Sequence, residues 1–300
     1  MQSHIYYKTY ERYFMITVKD VRVTAGDSAF LVDDGKCAIL YDTGFGFTGY
    51  GVCEKVKEAL GDRPLDYIFL THSHYDHALG SAYVLKSYPE AKVVAGEYAK
   101  KIFEKPSAKA VMRDLDRKFA QTQGILEYDD LVDDLKVDIP VNDGDIIEAG
   151  DMKFRAISLP GHTRCSFGFY LESEKILLSC ETIGIYVGEP IIMPSFLVGY
   201  RMTLDSIDKV RALDIEKILI PHFGLIDGEL AKFYLENTKK SNIEICREIA
   251  TILKFGGTTE EALQFFKNKI YKGKVIDAYP FDAFLLNTNI MIELIKKEIL

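Results

Sequence analysis

The chain has 300 residues, 48% of them hydrophobic and 27% charged, with a formal net charge of −8. That length buries a substantial core, as one large domain or two modest ones, and the acidic balance excludes a nucleic-acid partner, which needs clustered Lys and Arg against phosphate. No apolar run approaches the roughly 20 residues of a membrane span, so no membrane association is expected.

The opening MQSHIYYKTYERYF lacks a basic-then-apolar leader. Five scattered cysteines (Cys37, Cys53, Cys165, Cys180, Cys246) never form C-x-x-C, which suits buried thiols in a reducing, cytoplasmic setting. SAFLVDDGKCAILYD reads as two strands around an Asp34-Gly35 hairpin turn. In GVCEKVKEAL, Val52, Val56, Ala59 and Leu60 fall on one helical face. DYIFL (66–70) reads as a buried strand, followed by a turn into the next helix and a polar helical insertion over roughly 97–135. Strands are expected near 145–148, 152–158, 166–172 and 175–180, then a helix near 203–213 and a strand at 216–220. From Gly228 onward the pattern is helical: Cys246, Ile249, Ala250 and Leu253 share a stripe, Gly256-Gly257 stop it, and Thr258 with Glu261 form a capping box. The expected organisation is an α/β body over 1–227 with a helical lid over 228–300 packed on it.

The turn after DYIFL carries THSHYDH, with His72, His74, Asp76 and His77 inside six positions, although the chain has only six histidines. In a strand-to-helix turn, histidines at i and i+2 face one mouth, and Asp76 and His77 follow on the first helical turn. Neutral imidazole suits zinc or iron, and a carboxylate adds the charge a divalent cation calls for. His162 in ISLPGHTRC and His222 in KILIPHFG also sit at strand ends, and beside such a cluster both read as ligands; His4 reads as incidental.

THSHYDH, LPGHT, ILYDTG and IPHFG, in this order and spacing over about 28–225, resemble the motif series of the metallo-β-lactamase fold superfamily. The resemblance implies an αββα sandwich with two divalent metal ions at one edge, zinc first, iron or manganese next. His72, His74 and His162 would hold the first ion, and Asp76, His77 and His222 the second. Asp42 would orient a ligand histidine from behind. The superfamily's usual bridging aspartate is missing; KILLSCETIG offers Cys180-Glu181 instead. Glu181 is expected as the ligand and Cys180 as a packed thiol, since alternation along a strand sends neighbours to opposite faces. If Glu181 turns away, the site is mononuclear or asymmetric.

Two adjacent divalent ions lower the pKa of a shared water and make a bridging hydroxide, so the expected activity is metal-dependent hydrolysis of an ester-type bond. The resemblance adds a proton-shuttling role for Asp76. Among the superfamily's branches, periplasmic β-lactamases, RNA-processing nucleases and flavo-diiron proteins fit poorly: there is no leader, the charge is acidic, and His74 stands where the last group has an acid. Thioester and lactone hydrolysis lead. Small phosphodiesterases, iron-dependent sulfur dioxygenases and a catalytically weak ligand-binding regulator are the alternatives. The nearly uncharged stretch 182–200 must pack against the C-terminal helices, a second subunit or a ligand. It favours a small-molecule substrate with an apolar or acyl part and leaves room for a homodimer. Tyr186, within it, is the expected phenol near the oxyanion.

Overall fold

The computed structural model describes residues 16–188 and 191–300; His4 lies outside them. The first half builds β1 (Thr17–Asp20), β2 (Phe30–Asp33), β3 (Ala38–Tyr41), α1 (Gly49–Leu60), β4 (Tyr67–Phe69), α2 (Tyr75–Ala78), α3 (Gly80–Ser87), β5 (Lys92–Gly96), α4 (Glu97–Phe103), α5 (Pro106–Thr122) and β6 (Ile139–Val141). The second half supplies β7 (Ile146–Ala149), β8 (Met152–Ser158), β9 (Phe167–Leu171), β10 (Ile176–Leu178), α6 (Tyr200–Arg211), β11 (Lys217–Ile220) and β12 (Gly224–Asp227). Four helices then close the chain: α7 (Gly228–Lys254), α8 (Thr259–Ile270), α9 (Lys274–Ala278) and α10 (Phe281–Glu298). No helix among the described residues is long and apolar enough to cross a membrane.

The described strands form two mixed sheets, ordered β1-β2-β3-β4-β5-β6 and β12-β11-β10-β9-β8-β7. They stack face to face, because strands such as FLVD and AILY are apolar on both sides. Phe30, Val32, Ile39, Tyr41 and Phe69 point inward against Phe154, Phe169, Leu178 and Leu219 of the second sheet. Their neighbours Leu31, Leu40 and Ile68 point outward onto α1, α3 and α5. On the far side, Ile157, Leu177 and Ile218 pack under α6 and α7. Helix, sheet, sheet and helix are thus the four layers, as the αββα expectation has it.

The structure departs from the sequence reading in the helical insertion and in four short strands. The helical insertion stops at Thr122, with Gly124 at φ +78°, and 125–131 runs outside regular helix or strand. Asp130 there, and Asp133 in the short 3-10 turn that follows, hold Arg117 and Arg113 from α5, with Arg117–Asp130 at 2.7 Å and Arg113–Asp133 at 2.9 Å, so ion pairs replace a helical ladder. The strands β1, β5, β6 and β12 are additions to the sequence reading. Pro140 in β6 is tolerated because that strand lies at a sheet edge.

The apolar 182–200 stretch is covered from within. Its described residues Ile185, Met193, Phe196 and Tyr200 join Ile245, Ile249, Phe266, Phe284 and Ile292 of the C-terminal helices in one buried cluster. The Thr258–Glu261 capping box is present, with both reciprocal bonds formed.

The loop after β3 is held against the start of α3 at Gly80. A Cβ there would run into the Thr43 carbonyl, while the Thr43 N–H donates to the His77 carbonyl at 2.8 Å. Gly80→Ala is expected to destabilise the fold by about 1–3 kcal/mol, as overpacking does. The urea midpoint reads this directly, and an unchanged midpoint would contradict the close contact.

Candidate metal centre

Strands β3, β4, β8, β10 and β11 all end at one edge of the sandwich, and each is followed by a functional side chain. Asp42 follows β3, the THSHYDH turn follows β4, and His162, Glu181 and His222 follow β8, β10 and β11. Glu181 opens a short 3-10 turn beyond the end of β10, so the alternation that would oppose it to Cys180 no longer applies. Cys180 turns into the core beside Ile183 and Tyr234, and Glu181 turns to the histidines.

Four of the five imidazoles, those of His72, His77, His162 and His222, are oriented from behind. His77 Nδ1 meets Asp42 Oδ2 at 2.7 Å. His222 Nδ1 donates to the Gly26 carbonyl at 3.0 Å, and His162 Nδ1 to the Ser195 carbonyl at 2.9 Å. Behind His72 the relay is longer: its Nδ1 lies 2.9 Å from Thr71 Oγ1, and that hydroxyl reaches Asp42 at 3.0 Å. Thr71 has one hydrogen, and an ionised Asp42 can only accept it, so Thr71 accepts from His72. Asp42 is fully buried and also takes bonds from the Thr71 N–H (2.8 Å) and the Ser28 hydroxyl (2.9 Å).

These rear bonds place the hydrogens on the outer nitrogens and leave lone pairs facing inward. His77 Nε2 and His222 Nε2 face each other at 3.2 Å. His162 Nε2 lies 2.9 Å from His74 Nδ1 and 2.7 Å from Glu181 Oε2. His72 Nε2 is buried with no hydrogen-bond partner, as is Glu181 Oε1, although the latter stands 3.2 Å from His222 Nε2. Acceptors converging on acceptors repel unless protons or cations lie among them. Two groups of donor atoms within 4.8 Å of one another result: His72, His74, His162 and Glu181, and Asp76, His77 and His222. Glu181 spans both, its Oε2 lying 3.9 Å from His77 Nε2. Imidazole with carboxylate, tautomers locked from behind, is a donor set that fits divalent cations.

Two of the positions are bent out of ordinary backbone. Asp42 has φ +52° and His222 φ +63°, in the left-handed region that favours glycine and is kept at functional sites when the surroundings compensate. Asp42 is compensated by its hydrogen bonds, and the His222 carbonyl by the Arg22 guanidinium.

Electrostatics follow the same geometry. Burial, then neighbouring imidazoles, hold His72 and His74 well below the ordinary histidine range. Burial also works against a charged His77, but the carboxylates of Asp76 and Asp42 outweigh it and raise that pKa to about 9. Burial raises Asp76. Burial opposes ionisation of Glu181 too, yet His162, His222 and His77 outweigh it and hold that carboxyl well below its usual range.

A cavity of about 480 Å³ opens from this centre. His74, Asp76, His162 and Glu181 line its floor, and Met112 and Leu115 of α5 with Leu286 and Ile290 of α10 line its walls. Tyr186 is not among its lining residues; it lies buried against Phe223 and Tyr234. Three other tyrosines, Tyr75, Tyr98 and Tyr279, do line the cavity; Tyr279 comes from the C-terminal helical region, in a segment that shows no motif. Arg164 at the cavity mouth is exposed and has no carboxylate partner among the described residues.

The metallo-beta-lactamase superfamily model matches residues 25–222. Among curated relatives, a Dictyostelium discoideum protein named glyoxylase B2 is 28% identical over 166 residues, 53% of this chain and 49% of that one. The chain thus spans about half the length of that relative. A Gallus gallus acyl-coenzyme A thioesterase is 26% identical over 202 residues, 65% of this chain and 69% of its own. Among solved structures, a metallo-beta-lactamase family protein of Thermus thermophilus superposes with a TM-score of 0.61 at 19% identity, covering 90% of this chain and 88% of that one. An archaeal protein from Sulfolobus tokodaii gives 0.57 at 18% identity, over 91% and 94%. These two likenesses speak to the fold alone.

A metal-free His77 with a pKa near 9 keeps its proton at neutral pH, so a divalent cation must expel it. Zinc affinity is therefore expected to rise with pH between 6.5 and 8.5, by up to about tenfold per unit for each proton released. Chelator competition across that range measures it; a flat profile would mean that His77 is not displaced.

Proposed function

The chain belongs to the metallo-beta-lactamase superfamily, and on that premise we propose that it is a dinuclear metal-dependent hydrolase of thioesters with an apolar acyl part. In this reading His72, His74 and His162 hold one divalent ion, Asp76, His77 and His222 hold the other, and Glu181 reaches both. Bound there, the cations lower the pKa of water to supply a nucleophile near neutral pH and draw charge from the carbonyl oxygen under attack.

The chain's own groups do the rest. Asp42, Gly26 and Ser195 keep the ring tautomers fixed, so no reorganisation is required when charge develops. Asp76 lines the cavity beside the donor set, and in this reading it takes up and returns a proton at Oδ. The walls from α5 and α10 exclude water from the acyl chain. On this reading residues 228–300 are a wall of the site rather than a separate module.

The observation that carries the substrate class is the cavity, mostly apolar, about 480 Å³, and floored by the donor set. By area it rewards a hydrocarbon chain and offers little to a compact polar substrate. Arg164, uncompensated at the mouth, favours a leaving group with negative charge, as in a coenzyme A thioester, over a neutral lactone. Thiols are also better leaving groups than alcohols, since their pKa of about 8.5 lets them depart as thiolates. The thioesterase named among the relatives acts on that class.

The test begins with elemental analysis of the purified chain, then acyl-coenzyme A thioesters of increasing length. About two metal atoms per chain and turnover that rises with chain length are expected, with Asp76→Ala folded but inactive. Turnover of no thioester by the metal-loaded protein, or full activity in Asp76→Ala, overturns the reading. Separately, Arg164→Ala is expected to raise KM for a coenzyme A thioester about two- to fivefold, the modest size of an exposed charge contact. It should leave the uncharged N-acetylcysteamine thioester unaffected; equal effects on both would remove Arg164 from leaving-group recognition.

A further inference from the structure

Tyr279 connects the C-terminal helices to the metal centre. It sits at the end of α9, only 7% exposed, and lines the same cavity as His74, Asp76, His162 and Glu181. Its backbone is held on both sides: the N–H donates to the Val275 carbonyl at 2.9 Å, and its carbonyl accepts from the Tyr271 hydroxyl at 3.0 Å. Its phenolic oxygen accepts from Asn287 Nδ2 of α10 at 2.6 Å. That bond occupies a lone pair and leaves the phenolic hydrogen to be given.

We propose that Tyr279 contacts the substrate, donating its phenolic hydrogen to the carbonyl oxygen of the bound acyl group. The proposal rests on the hydrolase reading above for the identity of that group, and it concerns a hydrogen bond, with no proton transferred.

Several features single out this phenol. Ser195, whose hydroxyl lies 2.8 Å from His162 Nδ1, also lies against the Tyr279 hydroxyl, so one short segment positions an imidazole of the donor set and the phenol together. The charges that act most on Tyr279 after its own burial are those of Glu181 and Asp76, the two carboxylates of the donor set. Tyr75 also lines the cavity and, after its burial, feels Asp76 first, then Tyr279, Asp116 and Glu181, but its ring packs on Phe45. Thr163 is engaged with Ser166 at 2.7 Å, and Tyr98 stands exposed at the rim. An ordinary phenol is protonated at neutral pH, and burial pushes Tyr279 further that way. Such a donor strengthens its bond as the carbonyl oxygen gains charge, so its effect falls on turnover more than on ground-state binding.

The test compares the metal-loaded full chain with Tyr279→Phe in two readouts. Calorimetric titration with octanoate, whose carboxylate presents the same kind of oxygen, is expected to show about tenfold weaker binding in the variant, with metal content unchanged. Hydrolysis of an octanoyl thioester is expected to lose about ten- to hundredfold in kcat, with KM moving less than about threefold. Octanoate affinity and kcat both equal to wild type overturn the proposal. If wild type turns over no thioester, the hydrolase reading fails, while the octanoate comparison still decides the role of the phenol. If Tyr279→Phe does not fold, Asn287→Ala replaces it: a loss of about three- to tenfold in octanoate affinity supports the proposal, and an unchanged affinity overturns it.

Discussion

Seven side chains from the ends of strands in two sheets point their acceptor atoms at one another, and that convergence is the constraint around which the rest of the molecule is arranged. Imidazole nitrogens 2.9 and 3.2 Å apart, with a buried carboxylate among them, are unfavourable neighbours in a low-dielectric interior unless positive charge separates them. Solvent cannot relieve the arrangement, because most of these groups are buried. A cation can, and a proton on His77 does so partly in its absence. The centre is thus a place where the fold stores an electrostatic demand that metal satisfies.

Holding such a demand requires stiffness behind it. Asp42 is the hub: one buried carboxylate fixes the His77 ring directly and the His72 ring through Thr71. Its left-handed backbone turns the carboxylate under the THSHYDH loop, and the loop carrying it is clasped by His77 and Gly80. The two-sided apolar strands supply the rest. Their inward faces lock the sheets together and their outward faces seat the helices, so the strand ends cannot drift relative to one another.

The superfamily core provides the centre, and the C-terminal helices shape what can reach it. Helix α10 and the 197–198 loop complete the cavity wall opposite α5. The same helices cover the described part of the apolar 182–200 stretch, so one set of contacts both removes that surface from water and encloses the cavity. Cavity shape and stability are therefore coupled here: Phe284, facing the helical core, and Leu286, facing the cavity, lie on a single helix.

What was legible in the sequence alone was whatever depends on local spacing. The two-sided strands, the hairpin at Asp34-Gly35, the Thr258 capping box and the compact THSHYDH turn all follow from periodicity or from turn chemistry within a few residues. So does the expectation that His162 and His222 sit at strand ends. Local spacing misled where side chains from afar took over, as in 125–131, where ion pairs to α5 hold an irregular segment that reads as helix. It was silent on β1, β5, β6 and β12, too short to show a pattern. The orientation of Glu181 depended on where β10 stops, because strand alternation constrains a side chain only while the strand continues. The choice between Tyr186 and Tyr279 could not be made from the chain either: both lie among aromatics, and what separates them is which one the packing of α9 and α10 brings to the cavity. That residues 279 and 181, or 287 and 198, line one cavity is a product of helix docking, and docking is set by the summed burial of whole faces rather than by any motif.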